Sequence, residues 1–132
     1  MMSEELKRAF PEADPGVKPL GSRILVQIRT PESRSKGGII LTESDKETEH
    51  WNTTVAKVLA VGPLAFHNRN TAELWPEGAW CNVGDFVRVP RYGGDRWKAD
   101  TEDGSKAYFI LLNDLDILAM VTTDPLAIKA FF

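Results

Sequence analysis

The sequence predicts a small all-β domain, a β-barrel or a β-sandwich, and three observations support this. Short runs of β-branched and aliphatic residues recur along the chain, turn-forming residues such as Gly, Pro, Asn and Asp separate them at close spacing, and only one short segment has helical periodicity. A chain of 132 residues is long enough for one modest core but not for two domains. We therefore expect one barrel-like domain, and the sequence shows no internal repeat.

The N-terminal residues 1–16 are expected to lie outside this domain. Ser3 is suited to cap a short helix that Pro11 ends, and the residues after this helix are rich in Pro and Gly, which is typical of a linker. Three apolar side chains share one face of the helix: Leu6, Ala9 and Phe10. We predict that this N-terminal extension is an appendage to the domain.

The domain is predicted to span residues 17–122, and residues 123–132 form a C-terminal tail. In the first predicted strand, Ile24, Val26 and Ile28 alternate with other residues, as expected of a half-buried strand. Residues 64–82 lack a clear pattern and are assigned to no element. The predicted strands are residues 23–28, 55–61 and 86–89, a short segment around Trp97, and residues 107–112 and 117–121.

Composition excludes several classes of function. Sixteen basic residues against nineteen acidic ones, a net charge of −3 and a pI near 5.4 disfavour a grip on nucleic-acid phosphates. The first residues lack the pattern of a secretion signal, and no apolar run approaches the roughly 18 residues of a membrane span, so we expect a cytoplasmic protein. The single cysteine, Cys81, cannot form an internal disulfide or a cysteine-based zinc site, and we expect it to be a packed residue.

The sequence contains no recognisable catalytic or cofactor motif. It has no phosphate loop, dinucleotide fingerprint or nucleophile elbow. His50 and His67 have no second ligand at metal spacing and are expected to be solvated. Five aspartates lie in predicted turns, where a carboxylate accepts hydrogen bonds from backbone amides: Asp85, Asp100, Asp103, Asp114 and Asp116. We therefore expect no enzyme activity, no cofactor and no metal site.

The most informative segment is a polar loop over residues 30–54 that contains an apolar tripeptide. Gly37 and Gly38 precede Ile39, Ile40 and Leu41, and charged or hydroxyl residues surround them. Long polar loops inside a compact domain are uncommon and are usually functional or disordered. Two interpretations are open on the residues alone: a Gly-Gly turn followed by a short internal strand, or an exposed tripeptide that binds a partner's groove.

Six segments, in the same order along the chain, resemble the GroES family of co-chaperonins, the ring-shaped lids of the chaperonin folding chamber. They are residues 17–26, 35–42, 58–62, 83–87, 91–94 and 116–121. This resemblance covers about residues 17 to 121 and implies a small GroES-like β-barrel with a long mobile loop. It also favours the partner-binding interpretation of the tripeptide.

The resemblance implies which residues bind the partner and which form the subunit interface. Ile39, Ile40 and Leu41 would dock in an apolar groove of a chaperonin ring that holds ATP or ADP, and Gly37 and Gly38 would form the bend that presents them. The family assembles as a homo-heptamer that encloses an unfolded client protein and modulates the ATPase cycle of the chaperonin. In that family the closing strand of one subunit pairs with the opening strand of its neighbour, so the implied interface residues are Ile24, Val26, Ile28, Ile117, Ala119 and Val121.

Residues 64–82 depart from the family pattern. They occupy the place of the hairpin that roofs the dome in many members, but they lack its strand pattern and carry Trp75 and Trp80. We expect no regular roof hairpin here, and we expect that a short linker in place of residues 66–79 leaves ring formation and capping intact. Divergence of this kind is similar to that of virus-encoded co-chaperonins, which would place the protein in a host cytoplasm.

Two alternative functions belong to other classes. The same barrel occurs as a domain of zinc-dependent alcohol dehydrogenases, but this chain lacks their cysteine-rich zinc site and their cofactor domain. A small barrel can also bind single-stranded nucleic acid through Trp and Tyr stacking, which the absence of a basic groove in the sequence disfavours. The sequence therefore favours a non-enzymatic co-chaperonin.

Overall fold

The computed structural model describes residues 4–29, 54–90, 94–102, 104 and 106–125. In these residues the chain forms one short helix, six strands and one turn of 3-10 helix at Asp114–Asp116. The elements are α1 (Glu4–Ala9), β1 (Arg23–Ile28), β2 (Val55–Val61), β3 (Phe86–Arg88), β4 (Asp95–Asp100), β5 (Lys106–Asn113) and β6 (Ala119–Met120). The six strands predicted from the sequence are therefore confirmed, in the predicted order along the chain.

The six strands form one antiparallel sheet in the order β4-β5-β1-β2-β3-β6. β1 lies inside the sheet, with Val26 opposite Val58 of β2 and Ile110 of β5. The register between β1 and β2 shifts between Leu25 and Val26, and such irregularities increase the local twist of a sheet. An all-β chain with a single antiparallel sheet confirms the predicted fold class and is consistent with a small barrel.

Both faces of β1 are covered, so the prediction of a half-buried strand is wrong. Ile24, Val26 and Ile28 face the main core and are each 0% exposed. Leu25 and Gln27, on the opposite face, are also buried. This second face is covered because Leu25 packs in a cluster with Phe109 that Trp97 and Ala13 also join.

The N-terminal segment packs against the sheet and is not an appendage as the sequence predicted. Ala9 and Phe10 are 8% and 3% exposed, respectively, and form a buried cluster with Val55 at the start of β2. The ring of Phe10 meets that of Phe86 edge to face, at 5.2 Å between centroids. The apolar face predicted for the helix therefore exists, and the sheet supplies its partner.

Residues 64–82, in the connection between β2 and β3, form a compact excursion from the sheet, meaning a loop without a regular strand. Its two arms meet at a single bridge between His67 and Leu74, and the Trp75 N–H donates to the Phe66 carbonyl over 2.8 Å. Phe66 is 1% exposed and belongs to the main core, where Trp75 and Trp80 pack against it. The absence of a regular hairpin was predicted. A linker in place of residues 66–79 would remove the core side chain of Phe66, so the structure argues against the expectation that ring formation and capping stay intact.

The closing segment, residues 117–121, is mostly extended, but only Ala119–Met120 is a strand. The Leu118 N–H donates to the Arg88 carbonyl over 3.0 Å, and the Val121 N–H donates to the Phe86 carbonyl over 2.9 Å. The segment therefore runs along β3 from Leu118 to Val121. Within the described part of the chain, no helix is long and apolar enough to cross a bilayer.

Candidate functional site

The five residues predicted to bind the chaperonin lie outside the described residues: Gly37, Gly38, Ile39, Ile40 and Leu41. The structure does describe the two ends from which residues 30–53 depart. We call Arg29, Thr54 and Val55 the loop root. Its geometry shows how the sheet holds the segment that carries the tripeptide.

The loop root is held by hydrogen bonds to two neighbouring strands. The Arg29 N–H donates to the Val55 carbonyl over 3.3 Å, which joins the two ends of the segment directly. The Val89 N–H donates to the Thr54 carbonyl over 2.8 Å, and Arg88 Nη2 donates to the Thr54 hydroxyl over 2.9 Å. Since Val55 is 0% exposed, the root is part of the packed body of the domain.

A second candidate surface is the outer edge of β6. β6 is the last strand in the sheet order, so no strand of the described chain pairs with its outer side. In the register of β3 with β6, Met120 lies opposite Val87, and the next residue, Val121, donates its N–H to β3, so the Met120 N–H points toward this open edge. Leu118, whose N–H also points toward β3, lies outside this register. Leu118 and Met120 are 64% and 43% exposed, respectively. An open strand edge beside exposed apolar side chains favours pairing with another chain.

The three interface residues predicted in β1 are buried and do not lie at a free sheet edge. Ile24, Val26 and Ile28 are fully buried, and β1 pairs with β2 on one side and β5 on the other. A strand paired on both sides offers no backbone donors or acceptors to a neighbouring subunit. The predicted pairing of β1 with a neighbour's closing strand is therefore wrong.

Of the predicted residues in the closing segment, Ala119 is exposed and Val121 is half-buried, whereas Ile117 is buried in the main core. Val17 and Leu20 belong to the segment that resembles the family but were not assigned to the interface. They precede β1 and are 47% and 67% exposed, respectively. Their signal was present, since two apolar residues lie among Gly, Lys and Pro outside any predicted strand. These residues, rather than β1, offer an apolar surface on the N-terminal side of the domain.

The carboxylates of Asp114 and Asp85 accept hydrogen bonds from backbone amides, and His67 contacts a backbone carbonyl. The buried carboxylate of Asp114 accepts hydrogen bonds from the Phe66 and Leu115 N–H groups over 2.9 Å and 2.8 Å, respectively. The Asp85 carboxylate likewise accepts from the Asn82 N–H over 2.8 Å, as predicted for a turn. His67 Nδ1 lies 2.7 Å from the Ala65 carbonyl oxygen, while His50 and Asp103 lie outside the described residues. Among the described residues, no three His, Cys, Asp or Glu side chains are grouped to hold a metal ion.

The single thiol is buried, as predicted. Burial, together with the nearby charge of Asp85, raises the pKa of the Cys81 thiol to about 11. The thiol is therefore protonated at neutral pH and is a poor nucleophile. The indole rings of Trp75 and Trp80 contact each other at 4.8 Å between centroids and pack against the same core, so these two rings serve packing.

An open cleft of about 520 Å³ lies beside the same excursion. Within it Asp114 is already bound to two backbone amides, and Arg69 donates from its guanidinium to the Ser22 hydroxyl. These groups hold residues 64–82 against the 3-10 turn and the start of β1. The residues lining the cleft are His67, Asn68, Arg69, Trp75, Asn113, Asp114, Leu115 and Asp116.

Comparison with known proteins identifies the family. The model of the chaperonin 10 kDa subunit family matches residues 16–121. Two similar relatives are the proteins named co-chaperonin GroES of Clostridium botulinum strains Eklund 17B (type B) and Alaska E43 (type E3). Each is 37% identical over 105 residues, which cover 80% of this chain and 97% of the relative. These matches do not favour the dehydrogenase domain or the nucleic-acid-binding barrel. The chain therefore belongs to the chaperonin 10 kDa subunit family and is a co-chaperonin.

Proposed function

We propose that this co-chaperonin caps a chaperonin ring that holds ATP or ADP, and that the tripeptide Ile39-Ile40-Leu41 makes the contact. The observation that carries the proposal is the family match, which spans the whole of the polar loop. Gly37 and Gly38 precede the tripeptide, and glycine readily adopts the backbone conformations that a bend presenting it would need. An apolar groove on the partner would bury three aliphatic side chains whose polar flanks keep them soluble in the free protein.

The loop root supports this role. Arg29 and Thr54 are tied to neighbouring strands, so the segment between them is presented from a packed base. Ordering a loop on binding costs several kcal/mol, which makes each single contact weak and reversible. Several loops on one ring raise the effective concentration of each, so the ring binds firmly although each loop binds weakly. Binding that differs between the nucleotide states of the partner would then modulate its ATPase cycle.

The assembly that best suits such multivalent binding is a ring of seven subunits enclosing a client protein. A ring needs two different surfaces on each subunit that meet and close. The edge of β6, with Ala119 and Val121 of the closing segment, supplies one surface, and the exposed side chains of Val17 and Leu20 supply a candidate for the other. We also propose that the protein acts in the cytoplasm, as expected from the sequence.

Substitution of Ile40 by Asp tests the proposed contact. An aspartate at this position would have to lose its hydration on docking, so capping should be lost while ring formation is kept. Co-sedimentation with a chaperonin loaded with ATP or ADP measures capping, and native mass spectrometry measures the ring. Ser44→Asp is the matched control, because it adds the same charge to the polar part of the loop and should leave capping unchanged. Normal capping by Ile40→Asp would refute the proposed role of the tripeptide.

A further inference from the structure

Residues 4–15 lie ahead of the part of the chain that matches the family, which begins at residue 16. We call residues 4–15 the strap. The chaperonin 10 relatives are matched over 97% of their own length but over only 80% of this chain. The strap is therefore additional to the part of the chain that defines the family, and its contacts need an explanation of their own.

One end of the strap is anchored beside the loop root. Phe10 is 3% exposed and packs in one cluster with Val55 of the loop root, Phe86 of β3 and Val121 of the closing segment. The Phe10 N–H donates to the Leu6 carbonyl over 2.9 Å, which continues the hydrogen bonding of α1 to this residue. The helix thereby fixes the backbone from which the Phe10 ring enters the cluster.

The other end of the strap is anchored on the far side of β1. Gln27 Nε2 donates to the Pro11 carbonyl over 2.6 Å, and Trp97 Nε1 of β4 donates to the Pro15 carbonyl over 2.9 Å. Ala13 packs against the cluster of Leu25 and Phe109 between these two bonds. Since these partners lie on β3, β1 and β4 in turn, the strap crosses the sheet on the face away from the main core.

The Phe10 cluster joins the two surfaces that the proposed function uses. Val55 belongs to the loop root, and Val121 ends the closing segment beside the open edge of β6. Packed side chains have little free volume, so removing the phenyl group of Phe10 would allow both Val55 and Val121 to shift. The Phe10 cluster therefore includes a residue of the loop root and a residue of the closing segment.

We propose that the strap positions the loop root relative to the closing segment, with Phe10 as the positioning residue for chaperonin binding. This inference rests on the proposed function in that the loop is taken to bind the chaperonin. It assigns a role to a part of the chain that lies outside the family match. Through it, each loop of an assembled ring leaves its subunit in a defined direction, which favours simultaneous binding of all loops.

The test compares Phe10→Ala with Trp97→Phe, the matched control at the other end of the strap. Trp97→Phe removes the indole donor to Pro15 and leaves the Phe10 cluster intact. Amide hydrogen exchange is measured on free rings, without chaperonin, at the Arg29 and Val89 N–H groups, which donate to the Val55 and Thr54 carbonyls of the loop root. The Gly62 and Asp114 N–H groups, which donate to the Arg23 and Ser22 carbonyls, serve as internal references.

In Phe10→Ala rings we expect exchange at Arg29 and Val89 to accelerate by about tenfold or more, with unchanged references and an unchanged ring mass. Apparent affinity for a nucleotide-loaded chaperonin should fall by about tenfold or more, because weaker binding at single loops multiplies across the ring. Trp97→Phe should leave exchange at Arg29 and Val89 within about twofold of the parent. Unchanged exchange at the loop root in Phe10→Ala, or equal acceleration at the references, would overturn the proposal.

If Phe10→Ala does not form rings, the milder substitution Phe10→Leu tests the role of Phe10. Leucine keeps an apolar side chain but loses the edge-to-face contact with Phe86, so exchange at the loop root should rise about threefold above the references. No rise at the loop root would overturn the proposal. Failure of the parent protein to cap a chaperonin would refute the proposed function. The hydrogen-exchange measurement on free rings tests the role of the strap separately, because it needs no chaperonin.

Discussion

β1 and the closing segment are both short aliphatic runs in the sequence, but the structure places them in opposite environments. Ile24, Val26 and Ile28 of β1 are each 0% exposed, and β1 has a paired strand on either side. In the closing segment, Leu118 and Met120 project into solvent beside an open sheet edge. The same kind of residue therefore stabilises the subunit in one place and is left exposed at a sheet edge in the other.

This difference predicts two kinds of mutational effect, unfolding of the subunit and loss of the ring. A change in β1 should unfold the subunit and thereby remove the ring, whereas a change at the edge of β6 should remove the ring and leave the subunit folded. Aliphatic composition alone does not distinguish the two, because a buried strand and an exposed edge strand both favour such residues.

Replacement of Val26 by Asp should unfold the subunit. The carboxylate would lie in the main core with no partner, and burial of an unpaired charge destabilises a domain by about 4 kcal/mol or more. Urea denaturation followed by circular dichroism measures the free energy of unfolding. Leu118→Asp is the matched control, since the same substitution at a site 64% exposed should change subunit stability by about 0.5 kcal/mol or less. Equal destabilisation at both sites would contradict the distinction between the two strands.

Replacement of Met120 by Pro should yield folded subunits that no longer form rings. Proline lacks the N–H that points toward the open edge, so a neighbouring chain has one backbone donor fewer to bind there, and the rigid ring disfavours pairing on that side. We expect the apparent affinity between neighbouring subunits to fall by about tenfold or more at each interface that this substitution weakens. Native mass spectrometry measures the assembly, and circular dichroism the fold.

Met120→Ala separates the backbone donor from the side chain, because it removes the same side chain and keeps the N–H. This variant should still assemble, with only the weakening that follows from loss of exposed apolar surface. Intact rings of Met120→Pro at low protein concentration would show that the outer edge of β6 is not an assembly surface.

The mildest change concerns Cys81, which packs in the same core cluster as Val26. Its pKa is raised from 9.0 to about 11 in the folded chain, so the protonated thiol stabilises the folded state below pH 9. This stability is lost as the pH rises through 11, because the unfolded chain ionises first. The parent should therefore lose roughly 1 kcal/mol by pH 10 relative to Cys81→Ala, which has no thiol to titrate. Urea denaturation of both proteins between pH 8 and 10.5 measures this difference, and parallel pH profiles would show that the thiol is not shielded from solvent.

Sequence patterns predicted most of the elements but not their surroundings. The strands were located within a few residues because aliphatic runs between turn residues are a local property. The burial of Gln27 and Leu25 on the second face of β1 was not predicted, since it depends on Pro11, Ala13 and Trp97, which are distant along the chain. Segment 64–82 likewise has no periodic pattern, and only its contacts with the core show that Phe66 is essential to packing.

The candidate site divides in the same way. The tripeptide Ile39-Ile40-Leu41 was proposed from composition and from the family resemblance, and its role stays a prediction because it lies outside the described residues. The interface in β1 was implied by the family resemblance, and neither the resemblance nor the alternation along β1 indicates whether both sides of this strand are already paired. Val17 and Leu20 were not assigned to the interface because exposed apolar residues outside strands have no periodicity to reveal them.

The order of amino acids was enough to establish the all-β class, the position of the polar loop with its tripeptide, the absence of a second cysteine to pair with Cys81, and the family. The folded arrangement was needed to show that β1 lies inside the sheet, that β6 ends it, and that the strap packs Phe10 against the loop root. Local patterns record the preference of each segment for water or for a pleated strand. Sheet order and long-range contacts depend on which segments meet, and this is settled by packing between residues that are far apart in the chain.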